Sequence, residues 1–284
     1  MIFGVTIALA VILLALSRAH RDVGHHQFVD EWARAHALSL TPENRPMVGW
    51  YLRNARLLRT WGALGGLFVA PIGLSALGFD PVGFWGIWVF LGYLAGALYA
   101  ELSLVRAADV ERTASLVPRE LAAYLPRRLV VAQRGLGVVI ATGAVIAAVA
   151  PYGDPTPASP SPHRVGLLAA GLVGVVFMLG LERVQRWVVE RPQPFTEPAL
   201  VEADDAIRSQ SVHSLAGSGL AVLLVLNSFI AWALANSDIQ ILRLPMGIVS
   251  AFGVPAALAV CLYYGHRAWR VRRLGAVAVA GTNS

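Results

Sequence analysis

Glu101 and Glu182 are the carboxylates in this chain best placed to do chemistry. Each follows directly on a long uncharged stretch, Pro81–Ala100 and Val165–Leu181, where an apolar helix would leave hydrocarbon. A carboxylate at such an edge pairs with a cation from a neighbouring helix or takes part in binding a headgroup or substrate. Arg53, Arg128 and Arg208 stand ahead of three other uncharged stretches, so the five side chains form a candidate polar cluster at one membrane boundary. Structural pairing of the carboxylates with these arginines is the expected role. A second constellation, "HRDVGHHQFVDEW" from His20 to Trp32, puts His26 and Asp30 on one helix face at i, i+4, a spacing that can hold a metal. With no second cluster at fixed spacing, a polar helix beside the membrane is the preferred reading and the metal site the lesser alternative.

Other chemistries find little support. No histidine lies deep in an uncharged stretch, as paired haem ligands would, and no cofactor is expected. The single cysteine, Cys261, excludes an intramolecular disulfide. No phosphate loop, His-Glu-x-x-His helix or Gly-x-Ser-x-Gly elbow is present. The middles of the apolar stretches hold only scattered polar groups such as Ser75, Tyr93, Asn227 and Ser228, so proton coupling is not expected. No catalytic residue is assigned.

The elements that must position these side chains are membrane helices. Of 284 residues, 56% are hydrophobic and 14% charged, and the mean hydropathy is +0.61; soluble domains carry about 25% charge. Seven stretches lack any charged residue: Met1–Ser17, Thr60–Phe79, Pro81–Ala100, Gly135–Gly153, Val165–Leu181, Ser209–Ser237 and Leu244–Gly265. A hydrocarbon core roughly 30 Å thick needs about 20 helical residues, so the expectation is an all-α, polytopic protein with seven transmembrane helices.

Every basic residue is arginine, and all but Arg164 and Arg243 fall on one side of this threading. The positive-inside rule then places the protein in the cell (inner) membrane with its N-terminus outside and its C-terminus cytoplasmic. The first stretch has no basic residue ahead of it and reads as a retained reverse anchor rather than a signal peptide. The net charge of +6 marks sidedness, and no nucleic-acid partner is expected.

The connections on the arginine-rich side repeat. "VERTASLVP" (Val110–Pro118) and "VERPQPFTEP" (Val189–Pro198) are each followed by an arginine, Arg127 or Arg208, and then by paired glycines, Gly135 and Gly137 or Gly217 and Gly219. "SLTPENRP" (Ser39–Pro46) echoes the same pattern ahead of Gly62 and Gly66. Pro42, Pro118 and Pro198 suit the first turn of a short helix, with Thr41 and Thr196 as caps nearby. The resulting organisation is one leading helix plus three hairpins in weak parallel repeat. Its parts are residues 1–59, a leading transmembrane helix with the first connection; residues 60–265, a six-helix domain with hairpins 60–104, 132–181 and 209–265; and residues 266–284, a basic cytoplasmic tail. "GALGG" (Gly62, Gly66) and "GYLAG" (Gly92, Gly96) carry the small-xxx-small spacing that brings helices close together.

In its lysine-free hairpins and its "RTASLVPRELAAYLP" and "ADDAIRSQSVHSLAG" connections, the chain resembles uncharacterised multi-pass membrane proteins of high-GC actinobacteria. That resemblance implies location and carries no activity. The expected function is a non-catalytic membrane subunit, permease-like or partner-docking, embedded in the lipid bilayer. It would contact a membrane or cytoplasmic protein through the connections 105–131 and 182–208. The alternative is a membrane-embedded enzyme or binding protein acting on a lipid or quinone at the cytoplasmic boundary.

Overall fold

Where the sequence suggests a boundary at Thr60, the backbone runs straight through it. A computed structural model describes residues 26–76, 85–107, 119–152, 164–192 and 197–266. The described residues form eight helices and no strand. In chain order they are α1 (His26–His36), α2 (Arg45–Ala76), α3 (Trp85–Ala107), α4 (Leu121–Tyr124), α5 (Arg127–Val149), α6 (Arg164–Glu190), α7 (Pro198–Ala235) and α8 (Gln240–His266). The expected span Met1–Ser17, the motif Val110–Pro118 and residues 267–284 lie outside the described residues.

The connections expected to hold separate short helices behave differently from one another. In α2 and α7 the connecting helix and the apolar helix are one, 32 and 38 residues long. Thr41 and Asn44 start α2 reciprocally: the Thr41 N–H donates to Asn44 Oδ1 at 2.9 Å and the Asn44 N–H to Thr41 Oγ1 at 3.3 Å, a capping box with Asn in the third position. Pro198 occupies the first turn of α7, where its missing N–H costs nothing. Between α4 and α5 the helix is interrupted instead. Pro126 cannot donate and forces its predecessor out of the helical region, so Leu125 is extended (φ −122°, ψ 125°) before α5 begins.

Four helices, α5, α6, α7 and α8, are long and apolar enough to cross a membrane. In α3 the apolar segment is the shorter Ile87–Ser103. In α2 the first half carries Arg45, Arg53, Arg56 and Arg59, which confines its apolar part to the second half.

Consecutive long helices pack antiparallel in pairs, α2 with α3, α5 with α6 and α7 with α8. The first pair is joined glycine to glycine. A Cβ on Gly62 or Gly92 would overlap the carbonyl of the other, one on Gly66 the carbonyl of Trp88, and one on Gly96 that of Leu58. Backbones this close gain dispersion and Cα–H···O contacts that bulkier residues would forbid. α7 is the axis against which the other helices pack: 72% of its apolar window is buried inside the protein, against 17% for α8. Its small residues permit this, with Gly219 against Leu181 of α6, Gly217 against Tyr264 of α8 and Ser228 against Gly253 of α8.

At one end of the bundle lies a polar layer: α1, the first half of α2, α4, the ends of α3 and α6, and the start of α7. Trp32, Leu38, Val48, Tyr51, Ala203 and Ile207 form its apolar centre. At the opposite end the Asp238 N–H donates to the Pro151 carbonyl at 2.9 Å, joining the α5–α6 and α7–α8 connections.

Candidate functional site: a buried ion chain and an exposed arginine face

Glu101 sits on the last turns of α3 and is 1% exposed. Its Oε2 accepts from Arg191 Nη1 at 2.8 Å, and Arg191 Nη2 reaches Asp204 Oδ1 at 2.9 Å. Asp204 Oδ2 in turn accepts from Nε and Nη2 of Arg208, both at 2.7 Å. The four groups alternate in sign and all are buried. The spacing of Asp204 and Arg208, four residues apart, puts them on one face of α7. Arg191 joins the chain because α6 ends at Glu190 and delivers it against the start of α7.

Arg208, with no exposed surface, also donates from Nη1 to the carbonyls of Val188 (3.3 Å), Val189 (3.0 Å) and Arg191 (2.7 Å), and from Nη2 to that of Pro192 (3.2 Å). These include the last carbonyls of α6, which lack partners within the helix and carry its negative end charge. A buried guanidinium thus closes one helix from another.

A line of donors reaches the other oxygen of Glu101. Arg59 Nη2 donates to the Tyr51 hydroxyl at 3.4 Å, and Ser211 Oγ lies 2.8 Å from the Tyr51 hydroxyl and 2.5 Å from Glu101 Oε1. Arg59 can only donate and an ionised carboxylate can only accept, so the Tyr51 hydroxyl donates to Ser211 and the Ser211 hydroxyl to Glu101. The line ties α2, α7 and α3 together.

Glu182 belongs to a different group. Arg134 of α5 approaches it through Nη2 at 2.5 Å and Nε at 3.2 Å, and Arg186 pairs with it from one turn along α6. The two guanidiniums are about half exposed. On either side of this triad Arg127, Arg128 and Arg183 are exposed. A third pairing holds α4: the Tyr124 hydroxyl donates to Asp205 Oδ1 at 2.9 Å, and Arg119 lies 3.3 Å from the same oxygen. Burial, helped by the Asp205 charge, pushes the Tyr124 phenol up, so it stays protonated and donating.

The five side chains singled out in the sequence therefore fall in three places. Glu101 and Arg208 are linked through Arg191 and Asp204; Glu182 is paired separately; Arg53 and Arg128 are exposed. Asp30 is engaged by Arg45 at 2.6 Å, and His26 opens α1 with its side chain outside the described atoms.

Sequence reasoning missed Arg191, Asp204, Tyr51, Ser211 and Arg134. Arg191 stood in plain view inside the repeated Val-Glu-Arg, and Asp204 in an acidic run that reads as a solvated helix face. The available signal was the i, i+4 spacing of Asp204 to Arg208 and of Glu182 to Arg186.

Chemically, the Glu101 chain is closed. Glu101 accepts from a guanidinium and a hydroxyl and Asp204 from two guanidiniums, so the charges of Glu101, Arg191, Asp204 and Arg208 balance one another. Comparison with protein families, with characterised proteins and with solved structures finds no match to this chain.

Proposed function

We propose that this protein is a non-catalytic subunit of the cell membrane whose polar layer faces the cytoplasm and docks a partner protein. One observation supports this reading above others. The groups best able to do chemistry at the boundary, Glu101, Asp204, Arg191 and Arg208, are paired with one another and buried among the described residues. Such a chain makes the polar layer a rigid platform, since breaking a buried pair costs about 3–5 kcal/mol. Around it the exposed surface carries apolar and basic groups side by side, with Trp50, Arg53 and Leu57 along α2.

In this proposal seven helices cross the bilayer, with the leading stretch Met1–Ser17 and the apolar parts of α2 and α3 added to the four longest helices. The three antiparallel pairs correspond to the hairpins of the weak parallel repeat. The arginine-rich end lies inside by the positive-inside rule.

Photo-crosslinking in intact cells tests the docking reading. A crosslinker replacing Trp50, Arg53 or Glu202 should give one discrete heavier adduct with another protein. Adducts confined to lipid or to the chain itself at all three positions contradict it.

A second reading, a protein acting on a lipid or quinone at the same boundary, draws support for its binding half alone, from the exposed arginines of α5 and α6.

A further inference from the structure

The exposed face of the α5–α6 hairpin changes character along its length. Val138, Val145 and Val149 on α5 and Val165, Leu172 and Val176 on α6 are all more than half exposed. From Gly135 to Val149 α5 carries no charged residue over about 21 Å of helix. Toward the polar layer the apolar surface gives way to Arg127, Arg128 and Arg134 on α5, spread over about two turns with Val131 among them, and to Arg183 and Arg186 on α6, with the partly exposed Trp187 beside them.

We propose that this end of the hairpin binds the phosphate of an anionic phospholipid whose acyl chains lie along the valine-rich face. Among the described residues of α5 and α6, five guanidiniums stand at this end against two carboxylates, Glu182 and the exposed Glu190. Glu182 accepts from Arg134 and Arg186 and so holds both in place, while Arg127, Arg128 and Arg183 form ion pairs with no described residue. The N-terminus of α5 has no side-chain cap, because its capping residue is Pro126. Its first N–H groups and positive end charge therefore add to the attraction for an anion beside Arg127 and Arg128.

The excess of positive charge selects a headgroup with net negative charge over a zwitterionic one, whose own cation would face the arginines. The adjoining apolar face selects a phospholipid over a soluble phosphate ester. Trp187 has the amphipathic ring favoured at headgroup level.

This inference rests on the membrane reading of the hairpin but not on a docked partner, so its failure would leave the crosslinking result standing. The test is native mass spectrometry of the delipidated full chain, titrated with phosphatidylglycerol and with phosphatidylcholine of the same acyl chains. The expected result is a preference for phosphatidylglycerol of about fivefold or more. It should fall to within about twofold in the Arg127→Gln, Arg128→Gln, Arg183→Gln variant, which alters only exposed side chains. The corresponding lysine variant should keep most of it, and Arg243→Gln, at the far end of the bundle, should leave it unchanged. Equal binding of the two lipids overturns the proposal, as does a preference untouched by the triple glutamine variant. Displacement of bound lipid by excess glycerol 3-phosphate would overturn the assignment to a phospholipid.

Discussion

Converting Glu101 to glutamine removes one charge from a buried chain of four and leaves a guanidinium uncompensated in the interior. The expected loss is about 3–5 kcal/mol of folding stability, the range for breaking a buried pair from one side. Arg53→Gln and Arg128→Gln act on exposed side chains and should stay within about 0.5 kcal/mol. Denaturation of the purified variants in mild detergent measures both, and a loss under about 1 kcal/mol for Glu101→Gln would show that the chain does not brace the fold. His36 offers a pH test. Its Nδ1 lies 2.9 Å from the Trp32 carbonyl, its ring stacks on Trp32, and Gln210 and His213 of α7 face it. Burial lowers its pKa below the ordinary 6.5. The unfolded chain then takes up a proton near pH 6.5 while the folded protein resists it, so stability is complete above that pH and declines below it. The thermal midpoint should fall between pH 7.5 and 5.5, and His36→Gln should make that slope shallower; an unchanged slope in the variant contradicts the assignment. At this scale the sequence was half legible. Glu101 and Arg208 stand out because charge at the edge of an apolar run is conspicuous. Asp204 is signalled only by its i, i+4 spacing to Arg208, and Arg191 by nothing local, because its partners Glu101 and Asp204 come from α3 and α7.

Helices were more legible than side chains, and the reason is periodic: uncharged runs bounded by arginine, proline or glycine mark where a helix can lie in hydrocarbon. The glycine pairs in "GALGG" and "GYLAG" announced close packing, and the two motifs meet each other across α2 and α3. Gly92→Leu would drive a side chain into the carbonyl of Gly62 and should push α2 and α3 apart. A disulfide engineered between the two helices in a Cys261→Ala background should form readily in the parent and fail in Gly92→Leu. A methyl group added at Gly65 would meet nothing within 4 Å, so Gly65→Ala should be tolerated and the crosslink retained. Equal crosslinking in all three proteins would contradict glycine-mediated contact. Less legible was where helices stop. Pro46 and Pro198 sit in the first turns of α2 and α7 and both helices continue for many turns, whereas Pro126 separates α4 from α5. A proline at a helix start surrenders only an N–H that has no partner, yet α8 also runs through Pro245 and Pro255, so a proline in the sequence does not by itself mark where a helix stops.

For the whole molecule, composition pointed to helices in a membrane; the described residues are helical, and four of their helices are long and apolar enough to cross one. What composition could not convey is that α7 is the axis. Its apolar run looks like the others; its burial follows from small residues at Gly217, Gly219, Ala221 and Ser228, against which α6 and α8 close. The arrangement gives the molecule two unlike ends. One holds the ion chain, the α1–α2 layer and the arginine face of α5 and α6; the other holds Pro151, Asp238, Arg164 and Arg243. The docking platform requires the first end to face the cytoplasm. Single cysteines at positions 53, 128 and 152 in a Cys261→Ala background, probed in intact cells with a membrane-impermeant maleimide, measure this directly. Position 152 should react in intact cells, and positions 53 and 128 only after the membrane is opened. Reaction of 53 and 128 from outside, or equal reaction of all three, would contradict the account.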